Sequence, residues 1–97
     1  MLVLPAQLTH AEAGPCVRML AQALRSDPAK QAVADASGLR QFDSSALAVL
    51  LECRREALAL GKGFAVAQLH PRLRSLAMLY GVSELLPEAR TPISRVE

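Results

Sequence analysis

Residues 42–50 of the 97-residue chain read FDSSALAVL and begin the clearest helix in the sequence. From Ser44 to Leu60, apolar side chains recur at the 3.6-residue spacing of a helix that buries one face. The residues on that face are Ala46, Val49, Leu50, Cys53, Ala57 and Leu60. Gly61 and Gly63 follow and are predicted to end the helix.

Short strands and further helices are predicted on both sides of this helix. Before it, the sequence predicts a strand over 2–4, a polar turn over 7–9, a helix that opens after Gly14-Pro15 and ends near residue 26, and a strand over 31–36. After it, the sequence predicts a strand over 64–69 and a helix from Pro71 to its glycine cap Gly81. The apolar stripe of this last helix consists of Leu73, Leu76, Ala77 and Tyr80. Strands and helices that alternate with short connections predict parallel strands joined by right-handed crossovers. We therefore expect an α/β fold, with a small central sheet of parallel strands flanked by three or four helices.

The length allows one domain, which we assign to residues 1–97. Its core is expected over about 2–87, and the tail over 88–97 is expected to be loosely held because it is rich in turn formers. Apolar residues make up 52% of the chain but aromatic residues only 3%. The core is therefore predicted to consist of Leu, Ala and Val.

Charge and hydropathy exclude several classes of function. The net charge of +2 is too small to predict nucleic-acid binding. No apolar run reaches the roughly 18 to 20 residues of a membrane span, and residues 1–9 lack the pattern of a signal peptide. We expect a cytoplasmic protein that does not insert into the membrane.

Catalytic chemistry is not predicted, because the histidines and cysteines stand singly. His10 lies in a predicted polar turn, and His70 precedes Pro71 at a helix start. We interpret both as solvated or capping histidines, and Cys16 and Cys53 as buried thiols on helix stripes. The sequence thus predicts no enzyme, no catalytic residues, no metal site and no cofactor.

The turn Asp43-Ser44-Ser45 has two interpretations. These side chains can cap the free N-H groups at the start of the following helix. Alternatively, a hydroxyl exposed there is a docking point for a partner, and Ser44 is a candidate phosphorylation site because the helix dipole favours a phosphate.

A second stripe on the same helix also allows two interpretations. Leu47, Leu51 and Leu58 lie roughly 120° around from the core face. Arg54 and Arg55 flank them. The stripe either packs on a neighbouring helix or forms a protein-binding face rimmed by arginines.

The order of elements and two segments resemble the STAS family. Residues 34–39 read ADASGL, and together with residues 42–50 they are similar to the central STAS signature, in which a strand leads to an Asp-Ser turn and an amphipathic helix. The resemblance extends over about residues 2–87. Ala46 stands where the family usually has glycine, and the family commonly has one more strand before the first strand here.

Two branches of the family compete. Residues 73–82, LRSLAMLYGV, and the following LLP at 85–87 resemble the end of MlaB-type subunits. That likeness implies a non-enzymatic subunit, cytoplasmic and peripheral to the inner membrane, that binds the ATPase (MlaF-like) of the Mla phospholipid ABC transporter. Through the ATPase it would contact the permease complex and support outer-membrane lipid asymmetry. The alternative branch is the anti-sigma-factor antagonists, in which the hydroxyl matching Ser44 is phosphorylated. In both branches the resemblance implies a role for Ser44.

Overall fold

The computed structural model of the protein describes residues 2–89, and these form alternating short strands and helices. The elements are β1 (Leu2–Val3), β2 (Gln7–Leu8), α1 (His10–Ser26), β3 (Gln31–Asp35), β4 (Gln41–Phe42), α2 (Ser45–Ala59), β5 (Gly63–Ala67) and α3 (Pro71–Leu79), followed by a 3₁₀ turn at Ser83–Leu85. The predicted α/β fold is confirmed.

Two small parallel sheets organise the strands. The main sheet has the order β1-β3-β5, and its central strand places Ala34 between Leu2 and Val66. The second sheet pairs β2 with β4 in parallel, with Leu8 opposite Phe42. Residues 7–9 were predicted to form a polar turn, and β2 was not predicted there because a strand of two residues shows no periodicity.

Helix α1 begins at His10, five residues before the predicted start at Pro15. Thr9 lies just before it, and the carboxylate of Glu12 accepts hydrogen bonds from the backbone N-H of Thr9 at 2.8 Å and from its hydroxyl at 2.7 Å. These bonds, chiefly the one from the hydroxyl, lower the pKa of Glu12. Pro15 lies inside the helix, where its ring supplies no N-H for a helical bond. The prediction of the start was wrong because the capping pattern Thr-x-x-Glu outweighs the proline.

Helices α2 and α3 end in the same way. Gly61 and Gly81 adopt left-handed φ angles of 76° and 74°. The residues after them close the pattern, since the N-H of Lys62 donates to the Ala57 carbonyl and that of Val82 to the Ala77 carbonyl, each at 2.9 Å. These are Schellman ends, and they confirm Gly61 and Gly81 as terminators, whereas Gly63 is the first residue of β5 and does not end α2.

The core lies between the main sheet and the helices. Its largest fully buried side chains are Leu8, Leu20, Leu24, Val49, Leu50, Cys53, Val66, Leu73 and Leu86. The predicted core face of α2 is confirmed except at Leu60, which is 43% exposed, and the stripe of α3 fails at Tyr80, which is 57% exposed. Both are C-cap residues. The backbone leaves the helical path at a C-cap, so helical spacing no longer predicts that the side chain packs against the core.

The segment after the 3₁₀ turn joins the free edge of β5. Leu86 is fully buried, the N-H of Val66 donates to the Pro87 carbonyl at 2.8 Å, and the N-H of Ala89 donates to the Val66 carbonyl at 2.8 Å. The first residues of the tail that we expected to be loosely held are thus hydrogen-bonded. The rest of that tail, residues 90–97, lies outside the described residues.

Within residues 2–89, no helix has the length and apolar character needed to cross a membrane.

Candidate docking surface

Asp43 joins the N-terminal ends of two helices. One carboxylate oxygen accepts a hydrogen bond from the backbone N-H of Ser45 at 2.8 Å, and the other accepts one from the backbone N-H of His10 at 3.2 Å. These two partners are the first residues of α2 and α1. The N-H of Ser45, above all, lowers the pKa of the Asp43 carboxyl. The capping predicted for the Asp43-Ser44-Ser45 turn is therefore supplied by Asp43.

Ser44 occupies the N-cap position of α2 but does not cap it. Its backbone is already helical, with φ −63° and ψ −16°, and its side chain makes no capping hydrogen bond. The residue is exposed, whereas Ser45 is half-buried. Ala46 is fully buried in the first turn of the helix. The turn thus holds the hydroxyl of Ser44 at the surface without using it for the fold.

The second stripe of α2 is not one surface. Leu47 is only 3% exposed and belongs to the core, so it is not accessible to a partner. Leu51 is half-buried and packs against the core, and Leu58 is 48% exposed. Of the two interpretations of this stripe, packing within the protein holds at Leu47 and a protein-binding role there does not, because α2 is covered over a wider arc than one sheet face provides.

The two arginines beside that stripe differ in their surroundings. Arg55 forms an ion pair with Glu52, one turn earlier on the same helix, and the carboxylate raises the pKa of the guanidinium. Arg54 is half-buried and forms no ion pair with the described residues. Of the predicted partner-binding residues, Asp43, Ser44 and Arg55 are exposed, Ser45, Leu51 and Arg54 are half-buried, and Leu47 is buried.

An open groove of about 510 Å³ lies beside the turn. It is lined by Phe42, Asp43, Pro71, Arg72, Ser75, Leu76 and Leu79. This outer face of α3 was not predicted from the sequence. The sequence signal for an exposed apolar face is the run of three apolar residues over 78–80, because a short helix that buries one stripe cannot bury all three.

His70 caps α3, as predicted. Its Nδ1 accepts a hydrogen bond from the backbone N-H of Arg72 at 3.0 Å, and its ring centroid lies 5.2 Å from that of Phe42. The guanidinium of Arg72 lies over the Phe42 ring, with its Cζ 5.0 Å from the ring centre. His10, in contrast, is the exposed first residue of α1 and not part of a turn.

The two cysteines are buried, as predicted. Burial raises the pKa of Cys16, and burial together with the neighbouring Cys16 raises that of Cys53 to about 12. Both thiols are therefore protonated and poorly nucleophilic at neutral pH. Among the residues that the structure describes, no group of three or more His, Cys, Asp or Glu side chains is placed to hold a metal ion.

Comparison with known proteins identifies the fold and the family. Among solved structures, the chain is similar to a Thermotoga maritima protein assigned as an anti-sigma factor antagonist, with a TM-score of 0.75 and 15% identity, covering 95% of this chain and 80% of that one. It is similar to a STAS domain protein of Planctomyces limnophilus, with a TM-score of 0.74 and 19% identity, covering 95% and 82%. The antagonist SpoIIAA in its unphosphorylated form gives a TM-score of 0.66 and 14% identity, covering 94% and 87%.

At these identities the likeness concerns the fold alone. Curated proteins provide no match to this sequence. The family described as "Mlab, STAS domain" (STAS_2) matches residues 1–87. That match spans most of the 97 residues, and the parallel sheet and helices agree with it. The chain therefore belongs to the STAS family, in its MlaB-like group.

Proposed function

We propose that this protein is a non-enzymatic accessory subunit that binds the cytoplasmic ATPase of an ABC-type phospholipid transporter of the Mla kind. In this role it supports the ATPase and, through it, contacts the permease and helps maintain outer-membrane lipid asymmetry. The protein is cytoplasmic and peripheral to the inner membrane through that complex, and it neither inserts into the bilayer nor binds nucleic acid. Membership of the family described as Mlab supports this choice of partner.

One structural observation supports the proposal. The hydroxyl of Ser44 is exposed at the N-terminal end of α2, while Asp43 supplies the cap that a serine at this position usually supplies. A polar group that the fold does not use, on a turn that two helix ends hold in place, is a preorganised contact for a partner. Leu51, Arg54 and Arg55 lie further along the same helix and extend this surface.

The test separates docking from folding at Ser44. We expect Ser44→Ala and Ser44→Asp both to leave the thermal melt nearly unchanged, because the side chain makes no hydrogen bond that the fold would lose. Ser44→Asp should nevertheless weaken co-purification with the co-expressed ATPase, since it places an uncompensated charge at the interface.

Gln22→Glu is the matched control. Gln22 is exposed on α1, roughly 18 Å along the helix from His10, so this change adds the same charge away from the turn. It should leave co-purification unchanged. If wild-type protein does not co-purify with the ATPase, the proposed function is wrong. If Ser44→Asp co-purifies as well as Gln22→Glu does, the ATPase docks elsewhere.

A second function has one observation in its favour. A free, exposed serine hydroxyl at the start of α2 is also what a phosphorylation-controlled antagonist of an anti-sigma factor requires. In that case the purified chain, incubated with ATP and the anti-sigma kinase of the same organism, should gain the mass of one phosphoryl group. Ser44→Ala should not gain it. An intact mass that stays unmodified in the wild-type chain argues against this function.

A further inference from the structure

We propose that the groove between Phe42 and α3 is the receptor for an acidic and apolar segment of the ATPase, in which a carboxylate pairs with Arg72 and an adjacent apolar side chain lies against Leu76 and Leu79. This inference rests on the proposed function and deepens it. It adds a contact on α3 to the contact at Ser44.

Arg72 is a cation held ready for a partner. Its guanidinium stands over the Phe42 ring, 5.0 Å from the ring centre, and forms no ion pair with the described residues. Stacking on an aromatic ring restricts the side chain, so less conformational freedom is lost when an anion binds. The planar guanidinium also matches the two oxygens of a carboxylate.

The stability of α3 does not account for a cation at this position. Arg72 lies in the first turn of the helix, where the helix dipole favours negative charge, and no acidic residue accompanies it there. Helix α1 follows the rule, with Glu12 in its first turn and Arg25 in its last, whereas α2 has no acid in its first turn and no base in its last. The positive charge of Arg72 is thus placed where the helix dipole favours a negative one.

The single acid of the groove does not compete for Arg72. Asp43 also lines the groove, but its two oxygens accept hydrogen bonds from the backbone N-H groups of Ser45 and His10. Its charge is therefore directed toward two helix ends. The unmatched charge of the groove is positive, and its complement is a carboxylate.

The remainder of the lining calls for an apolar neighbour to that carboxylate. Leu79 is 77% exposed, and Met78 beside it is 66% exposed, which is unusual for large apolar side chains on one short helix. The groove is open along α3, as suits a protein segment more than an enclosed small molecule. An exposed apolar patch next to a charge is typical of a protein interface.

The experiment measures binding of the purified MlaF-like ATPase of the same organism to the purified chain by biolayer interferometry, at low and at high salt. We expect Arg72→Glu to raise Kd about tenfold or more at low salt, mainly through slower association, with a smaller effect at high salt. Leu79→Ser should also raise Kd, but with little dependence on salt. Both variants should melt like the wild type, because Glu suits the first turn of a helix and Leu79 is exposed.

Lys30→Glu is the matched control for charge. Lys30 directly precedes β3, whereas Arg72 follows β5, so the two cations lie at opposite ends of a parallel sheet. Its Kd should stay within about twofold of the wild-type value, as expected for a charge change outside the interface. Arg72→Gln provides a second variant without added negative charge if Arg72→Glu melts early.

The outcomes separate the two proposals. If the wild-type chain binds the ATPase and Arg72→Glu and Arg72→Gln bind equally well, the groove is not the receptor and the proposed function stands. If the wild-type chain does not bind the ATPase, both proposals are overturned. If Lys30→Glu weakens binding to the ATPase as much as Arg72→Glu does, the loss reflects the overall charge of the chain, and the groove is not the receptor.

Discussion

Truncating Leu47 and Leu58 to alanine should give very different losses of stability, although the two residues lie on the same helix and the chemical change is the same. Leu47 is 3% exposed and Leu58 is 48% exposed. Full burial of each methylene is worth about 0.8 kcal/mol, and the cavity that remains adds to this, so Leu→Ala at a buried site costs about 2 to 5 kcal/mol. We expect about 3 kcal/mol for Leu47→Ala. For Leu58→Ala we expect about 1 kcal/mol, since half of the side chain is already in water and no closed cavity forms.

The assay is urea unfolding followed by circular dichroism, because the chain has no tryptophan and one tyrosine. With an m-value of about 1.5 kcal/mol per molar urea, the midpoint should fall by about 2 M for Leu47→Ala and by less than about 1 M for Leu58→Ala. A total stability of about 5 to 15 kcal/mol leaves both variants folded in the absence of urea. Equal midpoint shifts would refute the placement of Leu47 in the core and would restore the outer stripe as one surface.

Two further predictions follow from backbone geometry and from the acid at the turn. Gly81→Ala should lower the free energy of unfolding by about 1 to 2 kcal/mol, because Gly81 has a φ of 74°, which a residue with a Cβ adopts only with strain. Gly38 has no left-handed φ and has open space where a Cβ would be added, so Gly38→Ala should be neutral or slightly stabilising in the same urea titration. The pKa of Asp43 is lowered in the folded state, so its contribution to stability is present above its unfolded pKa of about 3.9 and is lost as the pH falls through the folded value. Asp43→Asn should therefore lose less stability than the wild type between about pH 5 and pH 3, and parallel pH curves for the two proteins would contradict this role of Asp43.

The separate roles of Asp43 and Ser44 make the turn informative in experiments. Because the Asp43 side chain accepts two hydrogen bonds that hold the turn against α1 and α2, changes at Asp43 report on folding. The side chain of Ser44 makes no capping hydrogen bond, so changes of this side chain report on whatever binds there. A phosphate on Ser44 would stand at the N-terminal end of α2, which favours it, and beside the Asp43 carboxylate, which does not. Its main effect is therefore expected on a partner and not on the fold.

The sequence by itself determined the elements whose signals are local. The spacing of Val49, Leu50 and Cys53 specifies a helix with a buried face, and this holds because periodicity depends only on the helix geometry. The glycine ends at Gly61 and Gly81 were equally predictable, since a left-handed residue is a local requirement. The family resemblance rested on the same local patterns and was confirmed.

Only the tertiary structure decided which surfaces are covered. Periodicity specifies the face of a helix, but the width of the buried arc depends on its neighbours, and for this reason Leu47 is buried while Leu58 is exposed. The hydrogen bond from His10 to Asp43 joins residues 33 apart in the chain, and the groove unites Phe42 with α3. Such contacts are set by how the strands and helices pack. No local pattern encodes them, so the sequence could suggest Ser44 but not Arg72 as part of the proposed docking surface.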